Sequence, residues 1–189
     1  MLVNLWTLPN VLTFFRILLV PCFVIAFYWP FHGHLYVTAL IFFLAAITDW
    51  LDGYLARYLK QTSAFGAFLD PVADKIIVAT AQILLVSMYP TLWIAIPGAI
   101  IVCREIAVSA LREWMAELGK RATVKVSAIG KIKTFVQMAA ILILLSQPPS
   151  AQTIVIIGLL LMYLAVILTL WSMILYILAA WRSFATEKD

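Results

Sequence analysis

The segment DWLDGYLARYLKQTSAFGAFLDPVAD, residues 49–74, places four aspartates between two long apolar runs. At 100° per residue, Asp49 and Asp52 share one face of a helix. Asp70 and Asp74, at positions i and i+4, share one face of the next helix. A short connection between the two helices would bring both pairs of carboxylates together. We therefore expect an acidic site where these helices meet.

Pro71 indicates where the second of these helices begins. Proline is tolerated in the first turn of a helix because its missing N–H has no partner there. The sequence therefore predicts a helix that begins near Asp70, with the preceding residues in the connection.

The composition around this segment is that of a membrane protein. Of the 189 residues, 65% are hydrophobic and 12% are charged, and the mean hydropathy is +1.06. Soluble domains carry about a quarter charged residues. The formal net charge of +4 is small and does not indicate a nucleic-acid surface. Cys22 and Cys103 both lie in apolar runs, so we interpret them as small buried hydrophobes and not as a disulfide or a metal pair.

Six apolar segments are long enough to cross roughly 30 Å of hydrocarbon, and they must be helical because lipid cannot satisfy free backbone groups. The sequence predicts an all-α membrane protein with six transmembrane helices in one domain, residues 1–189. Residues 1–9 are expected to form a short interfacial segment. The predicted spans are 10–29, 35–57, 71–89, 92–112, 130–147 and 152–181.

Charged residues fall in alternate connections of this arrangement. The connection after Arg57 and the one between Arg112 and Lys133 are basic, whereas the other three connections carry no charged residue. Basic residues concentrate on the cytoplasmic side of membrane proteins. We therefore expect both termini and the acidic site to face the cytoplasm.

Four adjacent carboxylates need cations beside them. Two like charges 4 Å apart repel by about 4 kcal/mol even at an effective dielectric constant of 20. Oxygen-rich clusters favour hard ions such as Mg²⁺, Mn²⁺ or Ca²⁺. Arg57, Lys60 and Lys75 could instead neutralise the aspartates in a structural network, but ionisable residues near membrane depth are usually functional.

The segment also fits a specific pattern, D-x2-D-G-x2-A-R-x8-G-x3-D-x3-D, without departure. It resembles the signature of the CDP-alcohol phosphotransferase family, and the resemblance extends over about residues 4–182. The eight fixed positions are Asp49, Asp52, Gly53, Ala56, Arg57, Gly66, Asp70 and Asp74.

The resemblance implies a helix bundle that cleaves a CDP-linked lipid and releases CMP as an alcohol attacks the lipid-side phosphorus. It implies that the four aspartates hold Mg²⁺ or Mn²⁺, with two ions expected, and that Asp74 is also the general base. It assigns the binding of the CDP-lipid to Asp52, Gly53, Ala56, Arg57 and Gly66, although Gly66 could equally only permit the turn. It further implies a homodimer in the bacterial inner membrane.

Two further segments indicate the acceptor. NLWTLPNVLTFFR, residues 4–16, and REIAVSALREWMAELGKRATVKVSAIGKIKT, residues 104–134, resemble the bacterial members of the family that make phosphatidylglycerophosphate. The implied donor is CDP-diacylglycerol and the implied acceptor is sn-glycerol 3-phosphate. Phosphatidylglycerol, serine or inositol phosphate are the alternative acceptors.

A phosphorylated acceptor needs a basic cluster of its own. Arg104 and Arg112 are eight residues apart, about 80° on a helix, so they can share a face. Lys131 and Lys133 point to nearly opposite sides, and we expect Lys131 to reach the acceptor. Ordinary cytoplasmic charge is the alternative for the lysines, and an ion pair with Glu105 is the alternative for Arg104.

Polar residues on the first helix leave two interpretations open. Asn10, Thr13 and Arg16 could help to enclose the site, or Asn10 could only start the helix. His32 and His34 lie in an uncharged connection, and no metal role is expected for them. A transporter is disfavoured because transporters usually place charge at the bilayer midplane and have repeated halves.

Overall fold

The computed structural model describes residues 8–58, 64–117 and 128–185. Within these ranges the side chains of 8–9, 50, 52–57, 64, 67, 128–131 and 182–185 are not described. The described residues form six helices: α1 Leu8–Tyr28, α2 His34–Tyr58, α3 Ala64–Met88, α4 Leu92–Glu117, α5 Ala128–Ser146 and α6 Gln152–Ala185.

Four of the helices contain a stretch that is long and apolar enough to cross a bilayer. These stretches are Asn10–Tyr28, Phe68–Met88, Leu92–Glu117 and Gln152–Trp181. The apolar parts described for α2 and α5 are shorter, His34–Asp49 and Ile132–Ser146. The described part of the chain is therefore all-helical, and the protein is a multi-pass membrane protein.

The predicted start of α3 is wrong. The helix begins at Ala64, so Pro71 lies inside it and not in its first turn. A proline at this position removes the N–H that would bond to the carbonyl of Ala67. The helix continues through it because its inward face is buried on both sides of the proline, at Leu69 and Ala73. Tertiary packing here outweighs the local preference of proline.

Gly66 consequently lies in the first turn of α3, where it is buried. The interpretation that it permits a turn between the helices is therefore wrong.

The helices pack around a narrow apolar core. α1 lies against α2 and α3, α5 lies against α6 and α2, and α4 lies between α3 and α6. Phe23, Phe42, Leu85, Ile141 and Met162 are at most 2% exposed. Large apolar side chains also cover the outside of the bundle, as expected when lipid surrounds it. Cys22 and Cys103 are exposed on this outer surface, so the interpretation that they are buried is wrong.

The three uncharged connections meet at one end of the bundle. The Tyr89 hydroxyl is 3.0 Å from the carbonyl oxygen of Leu144 and 2.7 Å from that of Gln147, to which it donates. The hydroxyls of Tyr28 and Ser87 are 3.1 Å apart nearby. The aspartate-bearing ends of α2 and α3 lie at the opposite end.

Candidate active site

Three of the four predicted aspartates line one open cavity of about 520 Å³. Asp49 lies nine residues before the end of α2, and Asp70 and Asp74 lie in the second and third turns of α3. The side chain of Asp52 lies outside the described residues. No three metal-binding side chains within the described part of the chain are grouped closely enough to share an ion. The structure thus places three carboxylates around one space without gathering them into a finished metal site.

The first helix holds two of these aspartates through buried polar side chains. Thr13 Oγ1 donates to Asp70 Oδ1 at 2.5 Å, and Arg16 Nη1 donates to Asp49 Oδ1 at 2.6 Å. Thr13 and Arg16 are both fully buried. α1 therefore fixes Asp49 and Asp70 from behind the cavity.

Asn10 belongs to the same buried stripe on α1. It is 2% exposed and lies two residues inside the helix, which begins at Leu8. Asn10 is therefore not the residue that starts α1. The available sequence signal was the spacing of Asn10, Thr13 and Arg16, which puts three polar residues at intervals of three along an apolar helix.

A second cavity, of about 200 Å³, adjoins the first and is basic. Arg104 and Arg112 of α4 line it, as predicted, and Lys133 of α5 faces them. Glu105 is the only carboxylate among its described lining residues besides Asp74. Lys75 lines the cavity as well, so four cations against Glu105 and Asp74 leave an excess of two positive charges. This surrounding suits a dianionic phosphate.

Lys133 lines the basic cavity, whereas the sequence favours Lys131 for the acceptor. Lys133 is 5% exposed and lies on the face of α5 that carries Thr134, Gln137 and Met138 into the cavity. The side chain of Lys131 lies outside the described residues, so its assignment to the acceptor stays a prediction.

Glu105 joins the basic residues into a network. Its Oε1 accepts from Lys133 Nζ and, at 3.1 Å, from Arg104 Nη1. Arg104 Nη2 donates to Ser172 Oγ of α6, and Ser172 donates to the Thr169 carbonyl oxygen at 3.0 Å. The alternative that Arg104 forms an ion pair with Glu105 is thus confirmed, and the same arginine still lines the cavity. Glu105 holds two cations in place and leaves them with donors to spare.

Arg112 is held differently, by an aromatic ring. Its guanidinium carbon lies 5.7 Å from the centre of the Tyr176 ring, the geometry of a cation–π contact. Tyr176 and Ser172 are four residues apart on α6, so one face of this helix contacts both arginines. Sequence reasoning missed both residues, although they interrupt an otherwise apolar helix at helical spacing.

The two cavities meet at α3 and α4. Asp74, Lys75, Glu105 and Arg112 line both of them. Lys75 Nζ donates to Ser109 Oγ, which connects the two helices at this junction. A carboxylate at Asp74 can therefore reach a group bound in either cavity. Such an arrangement suits a base that acts between two substrates.

The chain matches the family model described as CDP-alcohol phosphatidyltransferase over residues 6–171. The chain belongs to the CDP-alcohol phosphatidyltransferase family. The match includes α1 with Thr13 and Arg16, the complete aspartate segment, and the basic residues of α4 and α5.

Relatives within the family are similar over almost the whole chain. A protein of Pectobacterium atrosepticum is 53% identical over 93% of this chain and 95% of its own length. Proteins of Yersinia enterocolitica and Salmonella paratyphi A are each 52% identical over the same shares. All three are named CDP-diacylglycerol–glycerol-3-phosphate 3-phosphatidyltransferase.

Proposed function

We propose that the protein transfers a phosphatidyl group from CDP-diacylglycerol to sn-glycerol 3-phosphate, giving phosphatidylglycerophosphate and CMP. The observation that carries this proposal is the junction of two unlike cavities at Asp74. One cavity is acidic, and the other presents Arg104, Arg112 and Lys133 to a small anion. The relatives, about 52% identical over nearly their full length, carry the name of this reaction.

The acidic cavity is the proposed site of the CDP-diacylglycerol diphosphate. Asp49, Asp52, Asp70 and Asp74 are the proposed ligands of Mg²⁺ or Mn²⁺, with two ions expected. The donor set fits hard divalent ions because it consists of carboxylate oxygens, and three of the four line one space. Ions bound there would neutralise the diphosphate and stabilise the leaving CMP.

The protein's own residues account for the remaining chemistry. The phosphate of the acceptor binds the basic cavity, which points its free hydroxyl toward Asp74. Asp74 takes the proton of this hydroxyl, whose oxygen forms a bond to the lipid-side phosphorus as the bond to the CMP oxygen breaks. Thr13 and Arg16 keep Asp70 and Asp49 in position throughout. Because α1 bears these two residues, it acts as the support of the donor site.

Recognition of the nucleotide part is proposed for the remaining motif residues. Asp52, Gly53 and Ala56 would pack against cytidine, and Arg57 would pair with phosphate oxygens. Their side chains lie outside the described residues. Gly66 is buried at the start of α3, where a residue without a side chain permits close approach of the donor.

The size of the basic cavity favours glycerol 3-phosphate over the other acceptors. At about 200 Å³ it is smaller than the 300–1,000 Å³ typical of drug-sized ligands, and a phosphatidylglycerol would need a wider lateral opening. Serine, which carries no phosphate, would not need this basic cluster. Inositol phosphate would also use the cations, so competition between acceptors must distinguish it.

We also propose the finer topology. All six helices cross the bacterial inner membrane, with both termini and the junction of the cavities facing the cytoplasm. The alternation of charged and uncharged connections supports this orientation. The chain forms one domain with an interfacial segment at about 1–9, and two chains form a homodimer, which only the family resemblance supports.

A CMP-release assay tests the reaction. Purified protein in detergent is given CDP-diacylglycerol with and without glycerol 3-phosphate, in Mg²⁺, in Mn²⁺ and in EDTA. We expect release to need both the acceptor and a metal, and to be lost in Asp74→Asn. Release that ignores every acceptor and metal, from folded protein, would overturn the proposal.

A further inference from the structure

Gln137 lies in the basic cavity, but neither the aspartate motif nor the phosphate site accounts for it. It follows Lys133 by one helical turn on the same face of α5. The residue is 3% exposed, and its Oε1 has no hydrogen-bond partner within the described part of the chain. Buried polar atoms are normally bonded. A ligand bound in the cavity can donate the hydrogen bond that Gln137 Oε1 lacks.

None of the surrounding cations donates to this oxygen in the structure. Lys133 and Arg104 donate to Glu105, and Arg104 donates also to Ser172. Arg112 lies over the Tyr176 ring. The nearby Ser172 hydroxyl donates to the Thr169 carbonyl oxygen. Lys133, Arg104, Arg112 and Ser172 thus make these contacts, and none of the four donates to Gln137 Oε1.

The chemistry of the missing group follows from a second unbonded atom. Nε of Arg104 is buried and, among the described residues, has no acceptor. A phosphate dianion can accept from Arg104 but cannot donate to Gln137. A hydroxyl can do both, because it carries one donor and two acceptor lone pairs. The pair of atoms therefore fits a ligand that carries a hydroxyl in addition to its phosphate.

We propose that Gln137 is a specificity-determining residue whose Oε1 accepts a hydrogen bond from the secondary hydroxyl of the acceptor. This inference rests on the proposed function and refines its acceptor site. The phosphate binds the cations, the primary hydroxyl reaches Asp74, and the secondary hydroxyl binds Gln137. Glycerol 3-phosphate supplies all three groups. A site built to bond a hydroxyl rejects an analogue without it, because its buried polar group is then left unpaired.

A cycle of two substrates and two enzymes tests this assignment. The substrates are glycerol 3-phosphate and 3-hydroxypropyl phosphate, which lacks only the secondary hydroxyl. The enzymes are the wild type and Gln137→Met, which keeps the length of the side chain and removes its amide. We expect the wild type to prefer glycerol 3-phosphate by roughly 100-fold in kcat/KM. In Gln137→Met the preference should fall to about fivefold or less, through a lower kcat/KM for glycerol 3-phosphate alone.

Gln82→Met is the matched control. Gln82 is 2% exposed, and its two amide atoms have no partner among the described residues, but it is not among the residues that line the basic cavity. Its substitution should leave the preference unchanged. Partial unfolding of a variant cannot produce the expected result. It lowers the rate with both substrates by the same factor, so the ratio of the two kcat/KM values does not change.

The outcomes separate this inference from the function on which it rests. An active wild type whose preference survives in Gln137→Met would overturn the role of Gln137 alone. An equal loss with both substrates would also overturn it, and would make the residue structural. A folded wild type that turns over neither substrate would overturn the proposed function and this assignment with it.

Discussion

Arg16 Nη1 lies 2.6 Å from Asp49 Oδ1, and the arginine is fully buried within α1 while the aspartate side chain is 43% exposed to the cavity. Arg16 is therefore part of the buried scaffold, whereas Asp49 faces the solvent-accessible cavity of the site. A buried cation without its partner is costly. Arg16 thus couples the stability of the bundle to the orientation of a proposed metal ligand.

The first prediction concerns this pair. Arg16→Met removes the cation that fixes Asp49, and we expect kcat to fall at least 10-fold. The stability loss should be moderate, about 1–3 kcal/mol, because Asp49 remains partly solvated. Arg16→Lys should restore part of kcat and part of the stability, because lysine keeps the positive charge but lacks the several N–H donors of the planar guanidinium. Thermal unfolding in detergent and CMP release measure the two effects. If Arg16→Met has the same stability and the same rate of CMP release as the wild type, Arg16 does not hold Asp49 in position for the reaction.

The second prediction concerns the hydroxyl that holds Asp70. Thr13→Val keeps the shape of the side chain but removes the donor to Asp70 Oδ1. Hydrogen bonds to charged groups contribute about 1.5–3 kcal/mol, so kcat/KM for CDP-diacylglycerol should fall by roughly 10- to 100-fold. Thr13→Ser, which keeps the hydroxyl, should stay within about threefold of the wild type. If valine and serine behave alike, the hydrogen bond does not matter for the reaction.

The third prediction separates the two substrates. Arg112→Gln should raise KM for glycerol 3-phosphate about 10- to 100-fold, because a charge-assisted bond to phosphate is lost. KM for CDP-diacylglycerol should stay nearly unchanged. Tyr176→Leu should raise the acceptor KM only about two- to fivefold, since it removes a cation–π contact of about 0.5–1 kcal/mol, while Tyr176→Phe keeps the ring. Initial rates at varied concentrations of each substrate measure these effects. An equal rise in both KM values in Arg112→Gln would make this arginine structural or part of the nucleotide site.

The fourth prediction concerns the glutamate between the cations. Glu105→Gln leaves Lys133 and Arg104 without their shared carboxylate, and we expect the protein to lose about 2–4 kcal/mol of stability. Adding Lys133→Met should recover part of the stability, because one of the unpaired cations is then absent. The double variant should nevertheless bind glycerol 3-phosphate poorly, since a phosphate donor is also lost. Thermal unfolding and acceptor KM test both statements. A double variant less stable than Glu105→Gln would contradict this pairing.

Much of the fold was predictable because the bilayer restricts the choices. The apolar segments had to be helices, and the observed helices agree with the predicted segments except at the start of α3. There a local rule, that proline favours a first turn, gave the wrong boundary. The burial of Leu69 and Ala73 determines that boundary, and burial between helices is not visible in a local pattern.

Site residues were predictable where all of them lie on one helix, because their spacing along the sequence then shows that they share a face. Arg104 and Arg112 could be placed on one face of α4 by periodicity alone, and both line the basic cavity. The contacts between helices were not predictable. Neither the bond from Arg16 to Asp49 nor that from Arg104 to Ser172 follows from spacing, because each depends on how two distant segments pack. The position of Lys133 beside Glu105 likewise depends on how α5 is rotated against α4.

We propose that the basic cavity selects glycerol 3-phosphate as the acceptor of the phosphatidyl group. The most direct test is a competition assay in which purified protein is given CDP-diacylglycerol and equal concentrations of glycerol 3-phosphate, serine, inositol phosphate and phosphatidylglycerol. The lipid products are identified by mass spectrometry. We predict that phosphatidylglycerophosphate is the dominant product and that Arg112→Gln lowers its yield. A dominant product that contains serine, inositol or a second phosphatidyl group would contradict the account.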